Sequence, residues 1–202
     1  LILNPASHPA PDMYKVMSGL IVPRPIAFVS TISADGVHNV APFSYFMPIC
    51  ATPPLFAFSV EQRGDGQKHT LANILHSREF VLNIVTEDIV EAMNATAADV
   101  GPEIDEFQLA GLNPADSDLI SAPRVAESLS NFECRLVETR EYGNSPRSYT
   151  MVVGEIVLAH IDDRLLREDG SADPLQLKAV GRLSGSTYCR TTGIFDLERP
   201  VA

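Results

Sequence analysis

The sequence predicts a mainly β protein, an antiparallel barrel carrying a few peripheral helices. Short runs rich in β-branched and aromatic residues recur along the chain, among them "PRPIAFVSTIS", "LFAFSVE", "EFVLNIV" and "SYTMVVGEIVLAHI", a composition that suits pleated, half-buried strands. Helical periodicity appears in only two or three segments and does not alternate with the strands, as a parallel α/β sheet would require. The chain has 202 residues, 45% of them apolar and 20% charged. That length and balance suit one domain over residues 1–202, with a sizeable core and no wholesale disorder.

The elements follow in order. Asp12 is placed to cap a short helix running through Ser18, with Gly19 as its stop. "PRPIAFVSTIS" and "VHNVAPFSYF" flank the turn residues "ADG" and form an expected hairpin. Pro53 and Pro54 lead into "LFAFSVE", a third strand. In "KHTLANILHS" the spacing of Leu71, Ile74 and Leu75 is helical. "EFVLNIV" reads as a strand and "EDIVEAMNATAADV" as an amphipathic helix. Residues 99–123 are acidic and irregular, broken by Gly101-Pro102 and Asn113-Pro114, and read as an excursion from the barrel. "FECRLVETREYG" and "SYTMVVGEIVLAHI" are strands again. "DDRLLREDGSADP" is a polar connection with one helical turn, and the tail from Lys178 has glycine-broken β character.

The net charge of −11 argues against a nucleic-acid binder. No apolar run is long enough to span a bilayer, and the opening "LILNPASHPAPDMYK" lacks the basic head and apolar stretch of a signal peptide, so a cytoplasmic protein is expected. Cys50, Cys134 and Cys189 are far apart and odd in number, which suggests buried free thiols in a reducing compartment and neither a zinc site nor a disulfide framework. Between residues 79 and 118 there are acids but no Lys or Arg. Against that background Arg63 and Lys68, in "RGDGQKHT", form a local basic island suited to an anion.

Several motifs are absent. There is no GxGxxG dinucleotide fingerprint, "GDGQKHT" lacks the spacing of a phosphate loop, and "GRLSGS" is not a nucleophile elbow. His69 and His76 share a helix face without an acid between them, so no metal site is expected there.

One stretch resists a plain strand assignment. In "HNVAPFSYFMPICATPP", Asn39, Pro42 and Ser44 interrupt an apolar run where a central strand should pair and pack. An edge strand with a proline bend would explain it; so would a strand that faces a ligand.

Three pieces arrive in order: "PRPIAFVST", then "NVAPFSYF", then a Pro-Pro pair and a strand ending in "SVEQR", followed by "KHTLANI". With the tail "GRLSGSTY", this set resembles the flavin reductase-like family of FMN-binding split barrels, which includes the flavoredoxins. The resemblance runs from about residue 14 to residue 188. It implies a split barrel, FMN as cofactor and a homodimer with the flavin at the interface. The implied phosphate ligands are Ser30, Thr31, Arg63, Lys68 and Thr70, with Ser59 in the strand between. Asn39, Ala41, Pro42, Phe43 and Ser44 would run along the isoalloxazine ring, while Tyr45 and Phe46 suit core or dimer packing. Arg182 and Tyr188 would lie near the exposed flavin face.

Two positions depart from the family pattern. His69 stands where Lys-Asp-Thr is common, and Arg182 stands where many reductases carry a histidine. The resemblance implies a flavin reductase-type oxidoreductase, with hydride passing from NAD(P)H to flavin and on to an acceptor. The alternatives are a flavoredoxin-like electron carrier reduced by a protein partner, and a non-catalytic flavin-binding module. Because the flavin carries the chemistry, no acid–base residue of the protein is required.

Overall fold

The computed structural model describes residues 2–7, 10–63, 67–144 and 147–200. The first helix, α1 (Ala10–Leu20), starts earlier than Asp12 and runs past Gly19. Pro11 lies in its first turn, where no intrahelical donor is needed; the side chain of Asp12 lies outside the described residues. Strands β1 (Ala27–Ile32) and β2 (His38–Phe43) form the expected hairpin, register Ala27 to Phe43 and Ile32 to His38. Its turn is closed by Ser33 N donating to the Val37 carbonyl at 2.9 Å, with Gly36 at φ 83°, a conformation that favours glycine.

The chain then forms β3 (Phe46–Ala51), β4 (Pro54–Arg63), α2 (His69–Ser77) and β5 (Glu79–Ile84). A 3-10 turn, Glu87–Ile89, leads into α3 (Val90–Ala95), shorter than the helix expected over 87–100. The acidic excursion holds α4 (Glu106–Ala110) and the small pair β6 (Pro114–Ala115) and β7 (Arg124–Val125). Asp105 caps α4, accepting from Phe107 N at 2.9 Å, so this helix start is read from the same acids that hid it. Two long strands, β8 (Ser130–Asn144) and β9 (Arg147–Ile161), precede α5 (Pro174–Leu177) and the hairpin β10 (Val180–Arg182) with β11 (Tyr188–Arg190).

The main sheet has seven strands in the order β2-β1-β5-β8-β9-β4-β3, every pair antiparallel. Its edge strands β2 and β3 are consecutive in the chain, and Ser44-Tyr45 carries the backbone from one edge to the other. Ser59 N donates to the Tyr45 carbonyl at 2.8 Å and ties that corner to β4. The sheet therefore curls until its edges adjoin without a ladder between them among the described residues: a split barrel. Both interrupting prolines sit on edges, Pro42 on β2 and Pro48 beside a register shift in β3, positions where a missing N–H is tolerated.

Alternate residues fill the barrel: Ala27 and Val29, Phe56, Phe58 and Val60, Phe80 and Leu82, Cys134 and Leu136, with Leu71 and Ile74 of α2 packed against them. The rings of Phe56 and Phe58 meet Phe80 edge-on at 5.9 and 5.8 Å. Burying each such ring is worth roughly 1.5–3 kcal/mol. Gly154 is required here, since a Cβ would lie 2.5 Å from Phe80 Cζ. Outside the barrel a second cluster, including Phe28, Val40, Ile89, Met93 and Phe107, seats the excursion against β1 and β2. That packing brings α4 beside the edge strand.

All three cysteines are free, but only Cys134 is buried; Cys50 is exposed on β3 and Cys189 intermediate, because the edge strand faces outward. Among the described residues no helix is long and apolar enough to cross a membrane.

Candidate flavin site

Among the described residues strand β2 pairs only with β1, and a cleft of about 280 Å³ lies along its other side. Asn39, Ala41, Pro42 and Phe43 form one wall, Lys68, His69 and Thr70 another, with segment 96–100 and Glu106 opposite. A second hollow of about 320 Å³ shares Pro42 and Ala97 and continues to Arg24, Ser44, Arg182 and Tyr188. A third, about 350 Å³ and mostly apolar, shares Arg24 and Ser44 and includes Tyr45, Phe46, Met47 and Ser59. Small-molecule sites typically occupy about 300–1,000 Å³, so the adjoining first two hollows suffice for a dinucleotide-sized or smaller ligand.

One end of the cleft holds the start of a helix and a lysine. Lys68, extended at φ −61° and ψ 139°, is the N-cap of α2, and its own side chain makes no capping bond. Among the described residues no side chain bonds the first-turn N–H groups, and a helix start of this kind favours negative charge. Lys68 Nζ is 3.0 Å from Asp99 Oδ1 in an exposed pair. The β2 wall is small-featured: Ala41 offers only a methyl group and Pro42 has no N–H to satisfy.

Behind the wall lies a buried polar network. Asn39 Oδ1 accepts from Thr70 Oγ1 at 2.8 Å and Thr31 Oγ1 at 3.1 Å, and Asn73 Nδ2 donates to Thr31 Oγ1 at 3.0 Å. Asn39 Nδ2 and Val40 N both donate to Glu106 Oε2, at 2.5 and 2.7 Å. Burial pushes the Glu106 carboxyl up to about 7, against the Val40 N–H and Lys68, which pull it down, and with Asp105 adding to the rise.

The structure brings most of the expected residues together. Asn39, Ala41, Pro42, Phe43, Lys68 and Thr70 share the first cleft, Ser44 and Arg182 the second, and Ser59 the third. It does not bring Ser30 or Thr31 there. Ser30 is wholly buried, donating to the Pro123 carbonyl at 2.5 Å and accepting from Asn83 Nδ2 at 3.0 Å. Thr31 is equally buried in the Asn39 network. Both hydroxyls are taken up in internal bonds, and neither residue lines the cleft. The side chains of Asn39 and Thr70 likewise bond to each other. Arg63 ends β4, and its side chain lies outside the described residues.

Two residues of the site carry no clear sequence signal. Glu106 sits in the acidic stretch that reads as an excursion from the barrel, and the seating of α4 on β2 turns it inward. Arg24 stands in "PRP", a motif noticed for its strand. It is buried, and its guanidinium donates to the carbonyls of Ser18 at 2.5 Å, Ile21 at 2.8 Å and Leu183 at 2.7 Å. Arg24 N and Arg182 O, and Arg182 N and Arg24 O, bond reciprocally. Arg182 in turn donates to Tyr188 Oη and the Gly185 carbonyl, its guanidinium 4.3 Å from the Tyr188 ring centroid, and Tyr188 Oη donates to Asn94 at 3.1 Å.

A separate cluster, Asp118, Glu133 and His160, lies on β8, β9 and the excursion. Burial pushes the Glu133 carboxyl up, but bonds from His160 at 2.6 Å and from the N–H groups of Asp118 and Leu119 outweigh it and hold the group below the usual range. Both of its oxygens are occupied, so it anchors the excursion.

The flavin reductase like domain profile matches residues 17–178. The chain belongs to the flavin reductase-like family. It is 36% identical to nitrilotriacetate monooxygenase component B from Bacillus cereus, with a TM-score of 0.93 over 98% of each chain. It is 31% identical to the 2-nitrobenzoate 2-nitroreductase NbaA of Pseudomonas fluorescens, TM-score 0.89, over 99% of this chain and 96% of that one. The flavoredoxin of Desulfovibrio vulgaris (Miyazaki F), 21% identical, shares the fold with a TM-score of 0.77 over 97% of each chain. The family supports a flavin as cofactor, and the residues present fit one: a helix start with Lys68 at one end of the cleft, and the small wall of Ala41 and Pro42 beside it.

Proposed function

We propose that this protein is an FMN-dependent oxidoreductase of the flavin reductase type, reduced by NAD(P)H and passing electrons to an acceptor. The observation that carries the reading is the alignment of Ala41-Pro42-Phe43, on the free edge of β2, with Lys68 at the uncapped start of α2, in one cleft. Lys68 and the first-turn N–H groups of α2 would hold the phosphate. Ala41 and Pro42 would let the ring lie close, since neither presents bulk or an unsatisfied donor. When bound, FMN supplies the hydride-accepting and electron-passing chemistry.

The second hollow shares Pro42, and in this reading the reductant would lie there over the same wall, with Arg24 and Arg182 at its far side. NADH or NADPH has no Rossmann domain here and would dock transiently. The names of the similar monooxygenase component and nitroreductase support a redox role of this kind. Mixing the FMN-loaded protein anaerobically with NADH, then with NADPH, tests it by absorbance. Bleaching of the flavin band is expected with at least one; no bleaching with either overturns the reductase reading.

One observation favours a second reading, a flavoredoxin-like carrier reduced by a protein partner. Arg182 occupies the position where a histidine is common, and it is held on Tyr188 and Gly185. A carrier would stay oxidised with nicotinamide and bleach only with a reduced electron-transfer protein.

The reading includes a homodimer. Met17, Leu20 and Ile21 of α1 and the adjoining segment are exposed beside Met47 and Ile49 of β3, next to the apolar third hollow. A contiguous apolar patch of this kind suits burial by a second copy. Free cysteines fit a reducing cytoplasm as its location.

A further inference from the structure

We propose that the cleft takes up its phosphate-bearing ligand together with one proton, and that the proton is held by Glu106, which thereby sets the affinity for the phosphate. This rests on the reading of the Lys68 end as the phosphate subsite.

Glu106 is 5% exposed, yet it forms part of the cleft surface beside Lys68 and Thr70. Its Oε2 is occupied by Val40 N and Asn39 Nδ2, and Oε1 has no hydrogen-bond partner among the described residues. The charged and titratable neighbours come from every element around it. Asp105 precedes it on α4, and His38 on β2 lies 3.8 Å from Asp105. Lys68 and His69 come from the start of α2, and Asp99, from segment 96–100, already holds Lys68 at 3.0 Å.

With Glu106 ionised, Lys68 therefore faces two carboxylates across the cleft, and a phosphate would arrive as a third anion. Of these groups Glu106 is the one whose burial already disfavours charge, so it is the one that takes a proton from solvent as the phosphate enters. Protonated, it keeps both bonds to Oε2 and turns Oε1 into a donor. The β2 wall is then held unchanged while the repulsion is removed.

The sign of the linkage is diagnostic. A phosphate monoester gains its second charge near pH 6, which by itself strengthens binding to Lys68 as pH rises. Proton uptake by Glu106 acts the other way and weakens binding by up to about tenfold per pH unit above neutrality.

The test is to measure FMN and riboflavin affinities by quenching of flavin fluorescence between about pH 6 and about pH 9, on the wild-type chain and on Glu106→Gln. FMN affinity should fall with pH in the wild type and stay level or rise in the variant, with riboflavin level in both. Calorimetry of FMN binding to the wild type, in two buffers of different ionisation heat at slightly alkaline pH, should show net proton uptake. A variant that keeps the wild-type slope, or binding without proton uptake, overturns the proposal while leaving the phosphate subsite in place. If the variant fails to fold, the wild-type calorimetry decides. FMN and riboflavin binding equally well at every pH would instead sink the subsite reading itself.

Discussion

Arg24 and Leu183, 159 residues apart, are joined by a 2.7 Å bond from guanidinium to carbonyl. With the bonds to Ser18 and Ile21 it gathers the end of α1, the entry to β1 and the C-terminal segment that bears Arg182. Both terminal nitrogens of this buried cation donate to backbone carbonyls, while its buried Nε has no hydrogen-bond partner among the described residues.

Replacing it should therefore be costly in a particular place. Arg24→Met leaves three carbonyls without their donor, and at about 1–3 kcal/mol per orphaned buried group the expected loss is roughly 2–4 kcal/mol after relaxation. Chemical denaturation measures the loss. Hydrogen exchange should rise first in residues 180–190; a variant as stable as the parent, with unchanged exchange there, would remove Arg24 from its role as tether.

Glu106 makes the ligand-free protein sensitive to pH. Its folded value, about 7, lies above the ordinary 4.5, so the unfolded state releases the proton first and stability declines as pH rises from the unfolded value through the folded one. The span corresponds to about 3 kcal/mol between acid and neutral pH. Glu106→Gln should flatten this part of the profile of melting temperature against pH.

Lys68 separates binding from folding. Its pair with Asp99 is exposed, and such pairs contribute about 0–1 kcal/mol, so Lys68→Ala should leave the melting temperature nearly unchanged. FMN affinity should nevertheless fall by about tenfold or more, the worth of one charge-assisted phosphate contact, while riboflavin affinity stays level. Equal losses for both ligands would place the phosphate elsewhere.

Met47 tests the assembly. It is 56% exposed on β3 and lines the third hollow with Met17 and Ile21, so Met47→Glu puts a charge where a second copy would pack. Sedimentation should show dimer for the parent and monomer for the variant, with far-UV dichroism unchanged. A parent that sediments as a monomer would contradict the dimer.

Much of the fold is legible from residue order alone. The hairpin of β1 and β2, the strands β4, β5, β8 and β9, and helix α2 each follow from period and turn chemistry, because these are local preferences that packing reinforces. The excursion is less legible. α4 hides in an acidic stretch, and its inward face depends on Phe107 finding Phe28 and Val40, residues brought near by the sheet. The site divides the same way: Ala41, Pro42 and Lys68 lie where the pattern of the chain suggests, whereas Ser30 and Thr31 are drawn into internal bonds that no local rule reveals.

What the sequence by itself determined is the set of strands, the edge character of the segment around Pro42 and the isolation of Lys68 in an acidic region, since these depend on side-chain size, missing donors and charge along one chain. What only the tertiary structure decided is which polar groups remain for a ligand. A hydroxyl or carboxylate is available only if nothing folded beside it has already bonded to it. That distinction removed Ser30 and Thr31 from the cleft, placed Glu106 against it and set Arg24 beside the adjoining hollow.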